Sequence, residues 1–314
     1  MFASGRLTIG VFFAIESYQG DTPAMLGQVE LAKRAEQLGF AALWFRDVPL
    51  RDPGFGDVGQ IYDPWVYLGY IAAHTTSIAL ATGSIIFPMR HPLHLAKAAA
   101  SVDQLSEGRL VLGIASGDRP VEYPAFGIDF ATRGERFRET LRYFREVLEN
   151  SFPAIESPLG RFNGIDLIPK PYNGRIPILV TGNSQQSLSW IAENADGWIY
   201  YPRSLSHQEQ SIKEWRGLTQ QYCPDTFKPF AQSLYIDLTN DPDAAPVPIH
   251  LGFRLGRNGL IEFLHALQVI GVNHVVLNLK YGNRPAAEVL EEIGQEVLPM
   301  FATHSTVDAV VNEE

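Results

Sequence analysis

The sequence predicts an α/β fold in which eight parallel strands close into a barrel surrounded by helices, a (β/α)8 barrel. Three observations support it: short apolar β-branched runs alternate with amphipathic segments, eight of each are present, and polar residues or glycines mark many helix ends. An open doubly wound sheet usually needs only about five or six strands. We therefore expect one domain over residues 1–314, with about 304–314 as a frayed tail.

Each strand candidate is followed by a helix candidate. The strands are predicted at residues 7–14, 41–45, 78–83, 110–115, 178–181, 197–200, 230–238 and 274–279. The helices are predicted at residues 23–38, 64–75, 92–105, 133–150, 185–193, 206–220, 258–270 and 285–298. Thr22, Asp63 and His91 precede prolines, as capping residues before a first helical position do. Gly39 and Gly271 are placed to end helices.

Two segments interrupt this alternation. Residues 48–62 are rich in Gly, Asp and Pro and are predicted to form a long loop after strand two. Residues 151–171 are predicted to form an excursion before strand five, with a hairpin at 161–168. Because barrel chemistry lies at the C-terminal ends of the strands, we expect the loop after strand two to form part of a pocket wall.

Charge and cysteine content exclude some classes of protein. There are 25 Lys and Arg against 35 Asp and Glu, a net charge of −10, which disfavours nucleic-acid binding. The one cysteine, Cys223, cannot form an internal disulfide or a CxxC motif, which fits a reducing compartment. The sequence has no recognisable secretion signal and no apolar stretch of the roughly 20 residues that span a membrane. A cytoplasmic protein is the expectation.

Common catalytic fingerprints are absent. The sequence has no GxGxxG after a strand, no GxxxxGK[ST], no GxSxG and no HExxH. His91 and His94 are spaced to share a helix face, but no carboxylate stands at metal-ligand spacing nearby. A capping histidine beside a surface histidine is the favoured interpretation.

The most informative segment is RHPLHLAKAAASVDQLSEGRLVLGIASGDRPVEYPAFG, at residues 90–127. Its residues alone indicate a helix followed by a strand, but the segment resembles the bacterial luciferase-like family of flavin- and deazaflavin-dependent oxidoreductases. Further similarity lies in TIGVFF, AEQLGFAALWFRD, ATGSIIFPMRHP, IPILVTGNSQQSLSWIAENADGWI and GVNHVVLNL; residues 204–256 match weakly. The resemblance implies a TIM barrel, often dimeric, with the flavin across its C-terminal mouth.

The resemblance implies a flavin site at the ends of several strands. A non-prolyl cis peptide beneath the isoalloxazine falls on Gly83 and Ser84, which would otherwise be interpreted as a turn. The cofactor phosphate falls on the segment after strand five, where backbone N–H groups at a helix start favour anions. That segment contributes Gly182, Asn183, Ser184 and Ser187, which could equally be a simple helix cap.

The end of strand four provides a third group of candidates. By the resemblance, Ser116, Gly117 and Asp118 contact the flavin. Arg119, Glu122 and Tyr123 follow as a candidate pocket rim, or alternatively as a solvated loop.

Strand two departs from the family pattern. Many relatives have a catalytic or substrate-facing histidine there, whereas this sequence runs from Trp44 through Arg46 and Asp47 into Val48 and Pro49. Asp47 is therefore the candidate for proton handling, with Arg46 beside it. The alternative is a structural ion pair of Asp47 with Arg46 or Arg51.

Remaining candidates are basic and aromatic. Arg257 is assigned to cofactor binding because it lies, like Arg254, in the barrel half where phosphate often binds; the alternative is that both offset neighbouring acids. Phe13 is assigned to the cofactor site. Aromatic residues that would suit an apolar substrate pocket, or equally the core, are Phe12, Phe13, Trp65 and Phe87.

The resulting functional prediction is a monooxygenase that uses reduced FMN and dioxygen on a small organic substrate. A separate NAD(P)H-dependent flavin reductase and a homodimer are the expected partners. A deazaflavin-dependent hydride-transfer enzyme is the alternative, disfavoured because no basic cluster for a polyglutamate tail is recognisable. A non-catalytic flavin-binding protein is a second alternative. A phosphate-binding isomerase or aldolase is a third, disfavoured because Lys280 is the one lysine at a predicted strand end.

Overall fold

The computed structural model describes residues 1–301 and contains a closed barrel of eight parallel strands. The strands of this part of the chain are β1 (Thr8–Phe12), β2 (Ala42–Phe45), β3 (Ala79–Thr82), β4 (Ile85–Ile86), β5 (Leu110–Ala115), β6 (Ile155–Ser157), β7 (Gly160–Phe162), β8 (Ile178–Thr181), β9 (Gly197–Tyr200), β10 (Phe230–Leu238), β11 (Val247–Ile249), β12 (Gly252–Leu255) and β13 (His274–Asn278). The barrel order is β1-β2-β3-β5-β8-β9-β10-β13, and β13 pairs with β1 to close it. All eight predicted barrel strands are confirmed, whereas the predicted tail lies outside the described residues.

Helices follow the barrel strands and cover the outside of the barrel. They are α1 (Gln28–Leu38), α2 (Pro64–Ala72), α3 (Pro92–Leu105), α4 (Glu122–Ala125), α5 (Arg133–Glu149), α6 (Leu188–Asn194), α7 (Leu205–Tyr222), α8 (Arg257–Val269) and α9 (Ala286–Glu292). The Asp63 carboxylate accepts hydrogen bonds from the first turn of α2, and the His91 ring caps α3, as predicted. Gly39 and Gly271 follow helices with φ of 90° and 100°. No helix among residues 1–301 is long and apolar enough to cross a membrane.

Two helices begin later than predicted because the backbone before them is left-handed. Helix α1 was expected from residue 23 and a Thr22 cap, but Met25 and Gly27 have φ of 59° and 63°, which helical residues do not adopt. Helix α6 was expected from residue 185, but Gln185 has φ of 61°. The segment predicted as one helix over 285–298 changes after α9 into a π-helical turn and then a 3₁₀ turn.

The hairpins also differ from the prediction. The excursion before β8 contains a hairpin, but it is formed by β6 and β7, so its predicted position at 161–168 was wrong. Gly164 at φ 69° follows β7 and precedes an irregular segment. A second hairpin, β11–β12, was not predicted; β12 pairs in parallel with β10 outside the barrel.

The core consists of an outer layer between strands and helices and a smaller cluster inside the barrel. The inner cluster contains Phe12, Ala42, Trp44, Ala79, Ala81, Val111, Leu179, Ile199, Ala231 and Val276. Successive strand residues point to opposite faces, so alternate positions on each strand fill this interior. It forms the support beneath the C-terminal mouth.

Candidate functional site

A cavity of about 680 Å³ opens at the C-terminal mouth of the barrel. Its volume lies within the range of about 300–1,000 Å³ that is usual for small-molecule and cofactor sites. The wall contains residues at or just after the ends of seven barrel strands, together with part of the long loop after β2 and the tip of the β11–β12 hairpin. Side chains from distant parts of the sequence therefore share one site.

The cavity floor is aromatic and fixed from below. The Trp44 indole donates a hydrogen bond to His274 Nε2 at 2.9 Å, and His274 Nδ1 lies 2.8 Å from Thr8 Oγ1. Because an indole N–H can only donate, Nε2 must accept, which places the imidazole proton on Nδ1. Burial lowers the pKa of His274 to about 3, so the ring is neutral at pH 7. Phe12 lies beside Trp44 on this floor.

The peptide bond between Gly83 and Ser84 is cis, as the resemblance implied. A Cβ added to Gly83 would lie 3.0 Å from the Phe12 ring and 3.1 Å from Trp44, so glycine allows the backbone to lie close to the floor. Ser84 Oγ is hydrogen-bonded to Thr181 Oγ1 at the end of β8.

This contact is one end of a hydrogen-bonded series, here called the hydroxyl wall, formed by Ser84, Thr181, Ser184 and Ser116. Ser184 Oγ donates to the Thr181 carbonyl at 2.8 Å and accepts from the Ser116 backbone N–H at 3.2 Å. Three strand ends, those of β3, β5 and β8, are thereby joined.

Glycine and tyrosine support the hydroxyl wall from behind. Gly117 has φ of 76°, and a Cβ there would lie 2.9 Å from Ile86 and 3.0 Å from the Tyr123 hydroxyl. The same Tyr123 hydroxyl donates to the Ser116 carbonyl. Gly182, Asn183 and the exposed Asp118 complete this side of the cavity. The structure thus brings the predicted groups at 83–84, 116–118 and 182–184 together.

A second side of the cavity, here called the charged wall, consists of Arg46, Asp57 and Tyr235, which line the cavity, and of Tyr18 and Lys280, which contact Asp57 from behind. The Asp57 carboxylate accepts from Arg46 Nη1 and from the Tyr18 hydroxyl, both at 2.6 Å. The Tyr235 hydroxyl lies at 3.3 Å and Lys280 Nζ at 3.4 Å from it. Burial alone would raise the pKa of Asp57, but Arg46 and the hydrogen bonds from Tyr18 and Arg46 hold that pKa well below its usual value. This wall anchors the loop after β2 to the barrel.

Asp47 is paired, but not with either arginine suggested by the sequence. Its carboxylate accepts from Arg90, with Nη2 to Oδ1 at 2.8 Å, and from the Ile86 backbone N–H at 2.9 Å. Arg46 is engaged by Asp57, and Arg51 pairs with Asp21 at 2.8 Å. The predicted Asp47 pairings were wrong because its carboxylate faces the β4 segment. Burial raises the pKa of Asp47, and Arg90 opposes that shift.

Three predicted cofactor residues do not line the cavity. Phe13 packs outside the barrel against Phe45 and Tyr67, with ring centroids 4.8 and 4.9 Å away, because it points to the opposite face from Phe12. Ser187 caps α6 by accepting from the Trp190 N–H at 3.2 Å. Arg257 pairs with Glu292 at 3.2 Å and Arg254 with Asp237 at 3.5 Å, as offsets to neighbouring acids.

The candidate rim residues after β5 and the remaining aromatic candidates lie in different places. Arg119 lines the cavity, whereas Glu122 and Tyr123 lie buried behind it and are not a solvated loop. Phe87 belongs to the core, and Trp65 lies in a separate cleft that also contains His91 and His94.

Sequence reasoning missed several residues of the cavity wall. They are Phe55, Asp57, Tyr201, Arg203, Tyr235, His250 and Tyr281. Asp57 was within the loop expected to form a wall, so composition pointed to the loop but not to the residue. Tyr235 and His250 fall in the weakly matched part of the sequence. Arg46, Arg119 and Arg203 all line the cavity, so the expectation that it has no basic cluster was wrong.

Comparison with known proteins gives a consistent result. A family model described as luciferase-like monooxygenase matches residues 7–312. An uncharacterized protein of Mycobacterium tuberculosis is 32% identical over 209 residues, which cover 62% of this chain and 72% of that protein.

Two solved structures illustrate the range of chemistry found on this fold. An F420-dependent secondary alcohol dehydrogenase in complex with an F420-acetone adduct superposes with a TM-score of 0.77 at 18% identity, covering 94% of this chain and 99% of that one. The oxygenating constituent of 3,6-diketocamphane monooxygenase from Pseudomonas putida, in complex with FMN, superposes with a TM-score of 0.74 at 17% identity, covering 95% and 99%. At this identity the likeness concerns the fold.

Proposed function

Because the chain belongs to the luciferase-like monooxygenase family, we propose that it is an oxidoreductase that uses reduced FMN and dioxygen to oxidise a small organic substrate. The observation that carries this proposal is the hydroxyl wall. It joins three strand ends beside the Gly83–Ser84 peptide at the mouth of the barrel. Ser84, Ser116 and Ser184 are among the positions that the resemblance assigns to a flavin.

The cavity residues fit a flavin in shape and in polarity. Phe12, Trp44 and Gly83 present an apolar surface against which the ring system would lie. Gly117 has no room for a Cβ against Ile86 and Tyr123, so glycine allows the backbone after β5 to pack closely behind the hydroxyl wall. The backbone N–H groups of Asn183 and Ser184 and the nearby hydroxyls would hold a phosphate, whereas the Gly182 N–H already donates to the Ile199 carbonyl at 2.8 Å. Reduced FMN would supply the electrons with which dioxygen is activated.

The charged wall and the loop after β2 would orient the substrate and limit the access of water. Phe55 and Asp57 bring the loop after β2 over the mouth, and Arg46 keeps Asp57 in place. Asp47 is bound by Arg90, so we assign to Asp47 and Arg46 the role of holding the site together rather than that of proton transfer. Substrate would enter between this loop and the β11–β12 hairpin.

Hydride transfer with a deazaflavin cofactor is the second candidate. Arg46, Arg119 and Arg203 in the cavity wall favour it, because an acidic cofactor tail needs cationic partners. The experiment below includes both cofactors for this reason.

The test is a titration of the purified chain with FMN and with the deazaflavin coenzyme, in oxidised and reduced forms, followed by absorbance and fluorescence. Tight FMN binding that Ser84→Ala weakens, and that Ser211→Ala on the exposed side of α7 leaves unchanged, is the expected result. Preference for the deazaflavin would transfer the assignment to the hydride-transfer candidate. Binding of neither cofactor would reject both.

Turnover distinguishes an enzyme from a flavin carrier. With reduced FMN supplied by a separate NAD(P)H-dependent reductase, the proposed partner, a substrate should be converted to an oxygenated product and water, in place of the hydrogen peroxide that free reduced FMN and dioxygen form. Hydrogen peroxide equal to that from free reduced FMN, with no oxygenated product across a broad substrate panel, would instead favour a carrier.

A further inference from the structure

One cation in the cavity wall has no hydrogen-bond or ion-pair partner among the described residues. Arg46 is paired with Asp57, and Arg119 donates to the Asp57 carbonyl at 2.7 Å and lies 4.0 Å from Glu122. Arg203 also lines the cavity, but within residues 1–301 it forms no hydrogen bond or ion pair. An arginine that faces a ligand cavity without a carboxylate partner is available to bind an anion.

Arg203 comes three residues after the end of β9 and is exposed at the cavity rim. Its guanidinium lies over the Tyr200 ring, 5.6 Å from the centroid, a distance at which the ring attracts the cation. The guanidinium edge is free to form two parallel hydrogen bonds with an oxyanion.

The neighbouring strand end supplies a complementary surface. Strand β9 pairs with β8, and the loop after β8 has left-handed backbone at Gly182, Ser184 and Gln185, with φ of 56°, 44° and 61°. Left-handed residues within a turn direct backbone N–H groups to one side and form concave anion sites. The Tyr201 ring lies next to Gly182, 3.5 Å from the position of an added Cβ, and so connects the two segments.

We propose that Arg203 is the counter-ion of an oxyanion bound at this edge of the cavity, between the ends of β8 and β9. The oxyanion is either the phosphate of the cofactor or a carboxylate of the substrate; guanidinium recognises both by the same paired hydrogen bonds. The first source rests on the proposed function, because it requires a phosphorylated flavin or deazaflavin in the cavity. The second source does not.

The exposed carboxylate of Asp118 also lines the cavity, but it forms no ion pair with Arg203. A ligand that carries both hydroxyl groups and an oxyanion could satisfy the two side chains separately: the carboxylate accepts hydrogen bonds from hydroxyls, and the guanidinium donates to the oxyanion.

The test compares ligands that differ by one anionic group. FMN and riboflavin are titrated into the full chain, and the deazaflavin coenzyme and its phosphate-free deazariboflavin form serve as a second pair. Benzoate and benzyl alcohol are titrated into the FMN-loaded chain. Inorganic phosphate and benzoate are titrated into the cofactor-free chain.

The variants are Arg203→Gln, Arg203→Lys and the control Arg138→Gln, which removes an exposed arginine of α5 that also has no partner among residues 1–301.

If the oxyanion is the cofactor phosphate, Arg203→Gln should weaken FMN binding about tenfold, as loss of a charged hydrogen-bonded contact does, and leave riboflavin binding unchanged. Arg203→Lys should restore part of the affinity, since it keeps the charge but not the paired geometry. If the oxyanion is a substrate carboxylate, Arg203→Gln should abolish benzoate binding to the loaded chain and spare both flavins and benzyl alcohol.

The proposal is overturned if Arg203→Gln matches Arg138→Gln with every ligand. Failure of the wild-type chain to bind any flavin or deazaflavin would reject the proposed function instead. In that case phosphate and benzoate binding to the cofactor-free chain still decides the role of Arg203: loss in Arg203→Gln supports it, and no difference from Arg138→Gln rejects it.

Discussion

The charged wall and the hydroxyl wall face the same cavity but are held by different interactions. In the charged wall, half-buried Arg46 and buried Lys280 surround Asp57 on a long loop. In the hydroxyl wall, neutral hydrogen bonds join strand ends that the barrel already fixes. Removing one partner from a buried ion pair costs much more than removing a neutral hydrogen bond. Damage to the charged wall should therefore reduce stability, whereas damage to the hydroxyl wall should reduce ligand affinity.

The largest expected effect is that of Asp57→Asn. The amide keeps the shape of the side chain but leaves Arg46 and Lys280 without a counter-charge, so we expect the free energy of unfolding to fall by about 3 kcal/mol. Urea denaturation measures it. The control is Asp21→Asn, which breaks the pair with Arg51, whose side chain is 64% exposed, and should lower the free energy of unfolding much less. Equal costs for the two variants would contradict a special role for the charged wall.

The same variant should also change the dependence of stability on pH. The pKa of Asp57 is lowered in the folded state, so its contribution is complete above the unfolded pKa of about 3.9 and disappears as the pH falls through the folded value. The stability difference between wild type and Asp57→Asn should thus be constant from pH 7 to about pH 5 and narrow below about pH 4. Urea midpoints of both proteins, measured across this pH range, test the direction of the change. A stability difference that narrows as the pH rises would refute the prediction.

Ser184→Ala should have the next largest effect, and on affinity rather than stability. It removes the acceptor of the Ser116 N–H, so the loop after β5 loses its link to the loop after β8. We expect FMN binding to weaken about tenfold, the effect of one lost hydrogen bond to a buried group. Fluorescence titration measures this, with Ser101→Ala on the exposed side of α3 as control. Unchanged FMN affinity together with reduced stability would make the hydroxyl wall purely structural.

The same contrast explains what could be predicted from the sequence. The eight barrel strands follow from local pattern and were found, whereas most residues of the hydroxyl wall were identified through the family resemblance at the ends of those strands. The charged wall depends on contacts such as Tyr235 to Asp57, which are 178 residues apart in the chain. No local pattern identifies such pairs. The β11–β12 hairpin was also missed. Its strand β12 is short and pairs with β10 outside the barrel, so it does not follow the alternation of barrel strands and helices.

The misplaced site residues show a second limit of prediction from the sequence. It located a segment of the site but not which residue within that segment faces the cavity. Phe12 and Phe13 differ by one position and lie on opposite sides of the sheet. Ser184 and Ser187 differ by three positions, yet the first joins the hydroxyl wall and the second caps α6. The resemblance pointed to a segment that lines the cavity, but only the backbone conformation at 184 and 185 determines which serine faces the cavity.

Ser187→Ala tests this distinction. Loss of the cap should lower the free energy of unfolding by about 1 kcal/mol, the usual cost of removing a serine N-cap. FMN affinity should not change, because the Ser187 hydroxyl is engaged with the Trp190 N–H and does not line the cavity. Thermal denaturation and FMN titration of the same preparation give both values. A loss of FMN affinity comparable to that of Ser184→Ala would return Ser187 to the phosphate site.

Arg257→Gln should have the smallest effect. Its pair with Glu292 is partly exposed, and Glu292 keeps a second partner, Arg284, at 2.6 Å. The carboxylate is therefore not left without a counter-charge, so the stability loss should stay below about 1 kcal/mol. FMN affinity should equal that of the wild type, in contrast to the loss expected for Arg203→Gln. If Arg257→Gln weakened FMN but not riboflavin, the phosphate would lie on the α8 side of the barrel, and the assignment of the oxyanion to the edge between β8 and β9 would have to be abandoned.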